Sequence, residues 1–310
     1  MGRVAARKIV AVQLVRLQDA ARHEAHASAR PAALHSAHHS AHHATDVALA
    51  EPVAVYDLLA GREGGPDNHR LQLEEAQGEA NASRPRRHNF EQVRVVLEGS
   101  FGCGPGLVQP AGSVGYFCEG TTHAQESSGR SVALVLQLGG PSGAGFMSRR
   151  QVNEGVAALR ERGRFEDGQF TWFDAQGIKQ HKDCYEAVWE QVNGRPIHYP
   201  RPQYGAPVLI DPERFAWVRQ PFSSGVWLRT LGRFNDRGLA LTQLKLAAGA
   251  ELVLPRGDQV LLLCCLHGGG RVEERPYERL STVRVEVDET PRLKARRESL
   301  FFGFELPRFG

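Results

Sequence analysis

Two histidines and a glutamine are the side chains in this sequence best placed to do chemistry together. His88 lies in "RPRRHNFEQVRVVLEG" (Arg84–Gly99) and His123 in "GSVGYFCEGTTHAQE" (Gly112–Glu126). Both stretches are strand-like and bounded by glycine. The turn-rich "SFGCGPGLVQPA" between them predicts a hairpin that makes them antiparallel neighbours. Gln92 follows His88 by four residues, a spacing that shares one face of a strand. Two imidazoles and an amide oxygen converging on one point would hold a divalent metal and leave positions open. A single histidine on a strand is more often an ordinary hydrogen-bonding residue, so the joint spacing carries this expectation.

The elements that must position these residues are short. "QVRVVLEG", "SVGYFCEG" and "VALVLQLGG" form a first set of candidate strands. "GVWLRTLG", "LALTQLKLAAG", "QVLLLCCLHGGG", "STVRVEVDE" and "SLFFGFELP" form a second. Each is rich in Val, Leu or Phe and closed by Gly, Pro or Asp, which predicts a sandwich or barrel rather than a parallel α/β sheet. Between the sets, Val152, Val156 and Leu159 recur at helical spacing, as do Tyr185, Val188 and Val192, with Asn193-Gly194 as a stop. This predicts that residues 149–195 are largely helical. "RPIHYPRPQYGAPVLIDP" follows as an extended, proline-rich connector.

Composition narrows the function classes. The chain has 310 residues, 41% of them hydrophobic and 24% charged, enough for a sizeable core. Its net charge of +3 is not a nucleic-acid footprint, and no apolar run approaches the roughly 18–20 residues of a membrane span. Five cysteines, at 103, 118, 184, 264 and 265, form no CxxC pair, which predicts reduced thiols and a cytoplasmic setting. Residues 1–45 differ from the rest. They hold six Lys or Arg against two acids, and seven of the 13 histidines lie in "RHEAHASARPAALHSAHHSAHHAT". The expectation is a disordered His/Ala-rich tail; an organellar transit peptide and a metal-binding tract are the alternatives. Within it, "VAARKIVAVQLVRLQDAARHEA" could form a short amphipathic helix.

The two glycine-bounded runs resemble the two motifs of the cupin superfamily. The first motif, H-x-H-x3-E-x6-G, falls on Arg86, His88, Gln92 and Gly99. The second, G-x5-P-x-G-x2-H-x3-N, falls on Gly112, Cys118, Gly120, His123 and Ser127. The chain from about residue 50 onward is similar to two-domain cupins, through "GFMS" and "VNGRPIHYPRPQYGAPVLIDPERFAWV" as well. The resemblance implies a mainly β protein of two jelly-roll barrels joined by a helical linker. Its parts would be residues 46–148, the linker 149–206, and residues 207–310. It also implies a divalent metal, Fe(II) first and Mn, Ni, Cu or Zn as alternatives, on His88, Gln92 and His123. The departures weaken that implication. Arg86 stands where a ligand histidine is expected, unless a one-residue deletion in "RPRRHN" has removed it, and Gln92 replaces a carboxylate. An arginine repels a cation but suits a carboxylate or phosphate held through two hydrogen bonds. Arg86, Arg94 and an inward-facing Cys118 are therefore the expected substrate-binding residues.

The second β block has no H-x-H. Its polar candidates are Asp258 and Gln259, beside Arg256, while His267 is expected in an exposed turn. That block is read as structural, with a packing or dimerisation role. Two function classes follow. One is a metal-dependent, dioxygenase-like oxidoreductase acting on a small acidic or aromatic molecule. The other is a small-ligand-binding bicupin without catalysis, or a metal-free isomerase-like relative.

Overall fold

The glycine-bounded apolar runs become antiparallel strands in a computed structural model, which describes residues 13–25, 53–76, 85–124, 126–127, 129–166, 168–221 and 223–308. In chain order the first strands are β1 (Gln13–Val15), β2 (Ala21–Ala25), β3 (Val53–Ala60), β4 (His69–Ala76), β5 (Arg86–Arg87), β6 (Phe90–Glu98), β7 (Ser100–Gly104), β8 (Leu107–Pro110), β9 (Val114–Phe117), β10 (Thr122–His123), β11 (Glu126–Ser127) and β12 (Ser131–Gly139). Then come helix α1 (Arg149–Arg160), β13 (Gly163–Glu166), β14 (Gln169–Phe173), β15 (Lys179–Asp183), helix α2 (Cys184–Asn193) and β16 (Val208–Ile210). The last strands are β17 (Val218–Arg219), β18 (Val226–Arg233), β19 (Ala240–Leu246), β20 (Glu251–Val253), β21 (Leu261–Val272), β22 (Arg275–Glu278), β23 (Thr282–Val285) and β24 (Arg292–Glu305).

The chain divides into two units. The N-terminal unit comprises residues 21–212, and the C-terminal unit comprises residues 1–20 with 213–310. The N-terminal unit has a seven-stranded sheet ordered β16-β9-β6-β12-β4-β3-β2, a three-stranded sheet β11-β7-β8 and the pair β10-β5. The C-terminal unit has a nine-stranded sheet along β1-β23-β21-β24-β19-β18-β17, with β20 on β24 and β22 on β21. The strand pairing is antiparallel throughout and runs as open sheets. The expected barrels are therefore not closed ladders, since opposed antiparallel sheets can bury their apolar faces without closing on themselves.

The linker departs from the expected helical bridge. Its two helices are where spacing placed them. Ser148 and Gln151 form a capping box at the start of α1, and Gly194, with φ +62°, ends α2 in the left-handed region. Between them, however, residues 163–183 form the antiparallel meander β13-β14-β15. Phe165 and Phe170 alternate with polar neighbours and, with Trp172, pack toward Val156, Leu159, Tyr185 and Val188. The period here is two, so the stretch buries its apolar face as a strand. This region falls within the N-terminal unit.

The tail expectation also changes. Residues 13–25 are strand, one 3-10 turn and strand, not helix. β1 extends the C-terminal unit's sheet at β23, and β2 extends the N-terminal unit's sheet at β3. Edge strands offer unpaired backbone groups, and pairing with them overrides the modest helical preference of this 13-residue stretch. Residues 26–45 lie outside the described residues. His267 is exposed as expected, but it sits within β21 at a register shift rather than in a turn.

Candidate functional site

The central strand of the N-terminal unit is buried on both faces. Val93 and Val95 point one way, and Gln92, Arg94 and Val96 the other. Register then determines the company of Gln92. It lies opposite Gln137 on β12 and Phe117 on β9, and Gln137 lies opposite Arg70 on β4. One sheet row therefore reads Arg70, Gln137, Gln92, Phe117. The next row places Gln72, Val135, Arg94 and Gly115 side by side.

This row sets the orientation of Gln92. Arg70 Nη2 donates to Gln137 Oε1 at 2.7 Å, and Gln137 Nε2 donates to Gln92 Oε1 at 3.0 Å. Arginine has no acceptor, so Gln137 must turn its oxygen to Arg70 and its NH2 to Gln92. The Gln92 oxygen is thereby occupied. Its Nε2, on a side chain only 4% exposed, finds no acceptor among the described residues. Gln92 thus presents a donor where the sequence led us to expect a ligand oxygen.

His88 and His123 do meet, by a different route from the one expected. His88 is not on the strand of Gln92; it occupies the break between β5 and β6. His123 is on β10, in register with Arg86 on β5. The two imidazoles lie edge to face with centroids 5.1 Å apart. His88 stacks on Phe90 at 4.4 Å and meets the edge of Tyr185 of α2, while His123 leans on Phe117 at 4.6 Å. The His88 carbonyl accepts from Gly120 N at 2.7 Å. Gly120 has φ +78°, and a Cβ there would lie 2.2 Å from the Pro200 carbonyl, so only glycine makes this turn.

Both histidines are neutral at pH 7. Burial first, then His123, Arg86 and Arg94, hold His88 well below the usual imidazole range. Burial and the Arg94 charge push His123 down to about 4, against a small opposing pull from the Thr121 carbonyl. Arg94 is only 1% exposed, with its guanidinium 4.9 Å from the Phe101 ring and 5.2 Å from the Phe117 ring.

Arg86 and Cys118 have other occupations. Arg86 Nε lies 4.0 Å from Asp183 Oδ2, at the limit of an ion pair. The Cys118 thiol is 2.9 Å from Thr121 Oγ1 and accepts from Tyr204 N at 3.4 Å, so it fastens the proline-rich connector rather than facing a substrate. Glu119 is buried and accepts from both Ser142 N and Ser142 Oγ, holding the loop after β12. All five cysteines are buried, and none is in a disulfide.

Beside His88 a cavity of about 180 Å³ opens, lined by Pro85, Arg86, Arg87, His88, Asp183, Tyr185, Glu186 and Tyr199. Asp183 is the N-cap of α2, accepting from Tyr185 N and Glu186 N. The Arg87 guanidinium stacks 4.3 Å from the Tyr199 ring, and the Tyr185 hydroxyl donates to Asn89 Oδ1. Sequence reading singled out Arg86 and His88 of this lining and missed the rest. Tyr185 reads as one of an apolar helical stripe, and Tyr199 as part of a connector.

A divalent metal does not fit this donor set. No group of three His, Cys, Asp or Glu among the described residues could hold an ion. The Gln92 oxygen is taken, its NH2 faces away from Gln137, and Arg94 places a positive charge beside both imidazoles. No carboxylate joins the two histidines to offset that charge.

Comparison with known proteins yields no matching family model and no matching curated protein. Solved structures do match. A Nostoc punctiforme protein carrying a provisional dioxygenase description aligns with a TM-score of 0.59 at 10% identity, over 96% of this chain and 83% of its own. A Pseudomonas aeruginosa protein provisionally named as glyoxylate-induced gives 0.51 at 9% identity, over 82% and 79%. A variant of Bacillus subtilis oxalate decarboxylase gives 0.50 at 10% identity, over 83% and 73%. Identities this low speak to fold alone. The described helices include none long and apolar enough to cross a membrane. Motif spacing, antiparallel pairing and these neighbours together show that the chain has a fold like that of two-domain cupins.

Proposed function

We propose that the N-terminal unit binds a small acidic molecule through positively charged and amide donors, without a metal. The Gln92 amide nitrogen carries this reading: a buried donor without an acceptor, its direction set by Arg70 and Gln137. A buried unsatisfied donor costs on the order of 1–3 kcal/mol, which an anionic oxygen would recover. Arg94 and Arg86 supply the positive field, and His88 is shared between the cavity and the His123 contact. The cavity of about 180 Å³ beside His88 admits a ligand of few heavy atoms; Arg86 and His88 line it, while Gln92 and Arg94 lie outside its lining. At pH 7 the neutral imidazoles can accept a hydrogen bond from a bound ligand, but they cannot balance its charge; the arginines take that part. This favours a binding protein or a metal-free, isomerase-like catalyst over a dioxygenase, although the printed names of the fold neighbours include a dioxygenase and a decarboxylase.

One observation favours the metal-dependent alternative: two neutral imidazoles in edge contact are free of the proton that would block coordination. The test separates the two readings. Full-length protein with His26, His35, His38, His39, His42 and His43 changed to Gln is loaded anaerobically with Fe(II) and assayed for bound metal. The same protein is titrated with benzoate and malonate in thermal unfolding. The proposal expects no stoichiometric iron and a carboxylate-dependent rise in Tm that Arg94→Met removes. One iron per chain, lost in both His88→Ala and His123→Ala, would overturn it in favour of a metal-dependent oxidoreductase.

A further inference from the structure

The β13-β14-β15 meander carries a second concave surface, at the end away from Asp183. A groove of about 550 Å³ is lined by Arg160 and Arg162 after α1, Arg164 of β13, Trp172 and Phe173 of β14, and Lys179 of β15. Glu166 is its one acid. Four cations against one carboxylate would ordinarily be relieved by ion pairs with neighbouring acids. Here Arg160, Arg164 and Lys179 are exposed and make no side-chain ion pair with a described residue, and Arg162 donates to the neutral Gln191. Arg160 has a local explanation, since it offsets the negative end of α1. Arg164 and Lys179 stand on strands, where no helix end explains them.

The aromatic part is as unusual as the charge. Phe173 is 68% exposed, more than any other large apolar side chain among the described residues. It is not on a loose loop. Asp174, next in sequence, accepts from Gln176 N, Ile178 N and Gln180 Nε2, and pins the turn that carries it. Trp172 is held by stacking on Phe170, with centroids 5.4 Å apart and planes 17° apart. Trp172 therefore anchors the strand on its core face, and Phe173 is left as one exposed ring beside uncompensated cations, complementary to a ligand that is both flat and multiply negative.

We propose that this groove binds a nucleoside polyphosphate, its base against Phe173 and its phosphates among Arg160, Arg164 and Lys179. Its volume lies within the roughly 300–1,000 Å³ of small-molecule sites. A nucleic-acid strand is the poorer fit: the chain's net charge is only +3, and the cations are confined to this one groove rather than a stripe. The site is independent of the acidic-ligand cavity and stands whether or not that reading does.

The experiment is calorimetric titration of the full-length protein with adenosine 5′-diphosphate, with pyrophosphate and with adenosine, at low and high salt. The expected result is about one diphosphate per chain, weakened severalfold by salt, with adenosine and pyrophosphate each binding at least tenfold more weakly. Arg164→Glu with Lys179→Glu should weaken the diphosphate by about tenfold or more. Phe173→Ala, at an exposed position that leaves the fold intact, should weaken the diphosphate and leave pyrophosphate unchanged. Absence of saturable binding overturns the proposal, as does wild-type affinity in both variants. Pyrophosphate binding as tightly as the diphosphate removes the stacking half of the argument and overturns it too. Tighter binding of a twelve-nucleotide oligouridylate than of the diphosphate overturns it in favour of a nucleic-acid surface.

Discussion

The two β units differ in how much polar surface their sheets bury, although the C-terminal unit also buries Arg229 against Gln243. In the C-terminal unit the sheet packs around Leu244, Leu246, Leu263, Cys265, Val283, Leu293 and Phe301, an apolar cluster without an ionisable carboxylate or base. In the N-terminal unit three adjacent strands turn Arg70, Gln72, Glu74, Gln92, Arg94 and Gln137 toward the same face, and all but Arg70 are buried. The apolar cluster is self-sufficient. The polar rows hold together only where register supplies a partner, as in the Arg70–Gln137–Gln92 relay, and they leave a donor over. Both units place an arginine on a buried glutamine, so the N-terminal unit is set apart by the extent of its polar rows, which on the proposed reading a ligand completes.

If that contrast is right, the largest stability loss comes from the apolar unit and leaves ligand binding alone. Phe301 is fully buried against Tyr277, with ring centroids 5.0 Å apart. Phe301→Ala should cost about 3–5 kcal/mol in urea unfolding of the C-terminal unit, while the carboxylate-dependent Tm rise of the N-terminal unit persists. Loss of that rise would break the assignment of the C-terminal unit as scaffold.

Acid should separate the units next. His123 titrates near 4 in the folded protein against about 6.5 when exposed. Below 6.5 the unfolded chain takes up a proton that the folded chain refuses. Stability is therefore fully present above pH 6.5 and lost as pH falls toward 4, by about 3 kcal/mol. His88, also held low, adds in the same direction. The C-terminal unit from residue 213 onward contains only the exposed His267. Unfolding followed between pH 7 and 4 should thus show the N-terminal unit melting first, and His123→Phe should flatten its slope. Equal loss in both units would dissolve the contrast.

A smaller loss should fall on both units at once. Deleting residues 1–25 removes β1 from β23 and β2 from β3, uncovering an edge in each sheet. A loss of about 2 kcal/mol and concentration-dependent aggregation in light scattering are expected. No change would mean that these strands merely lie along their sheets.

Much of this was legible in the residues, and the rest fails for reasons of distance. Strands β6, β9 and β12 follow from apolar runs closed by Gly99, Gly120 and Gly139, and the pairing of β6 with β9 follows from the hairpin between them. Both helices follow from the Val156/Leu159 and Tyr185/Val188 spacing. The meander was legible too, in the alternation around Phe165, Phe170 and Trp172 and in Asp167-Gly168, but helical patterns on either side masked it. Within the site, the spacing brings His88 and His123 together. What it cannot convey is that Gln137, 45 residues after Gln92, and Arg70, 67 residues before Gln137, decide which end of the Gln92 amide faces inward. Cys118 shows the same limit, since its partner Tyr204 lies 86 residues on.

The smallest stability effect belongs to the residue that matters most to the proposal. Gln92→Met keeps approximate volume and removes the buried Nε2 that finds no acceptor, which relieves the N-terminal unit. It also removes the Oε1 that accepts from Gln137 Nε2, and leaves that donor buried instead. One orphaned donor is exchanged for another, so the net change in unfolding free energy should stay within about 1 kcal/mol. The carboxylate response should nevertheless disappear, because the donor aimed at the ligand is gone while Arg94 remains. The double change Gln92→Met with Gln137→Leu removes the Gln137 donor as well, but leaves Arg70 without the oxygen it donates to. It should therefore be less stable than the single variant, by about 1–2 kcal/mol in urea melts. A single variant that loses several kcal/mol, or that keeps full carboxylate binding, would show that the relay exists to hold the sheet and not to aim Gln92.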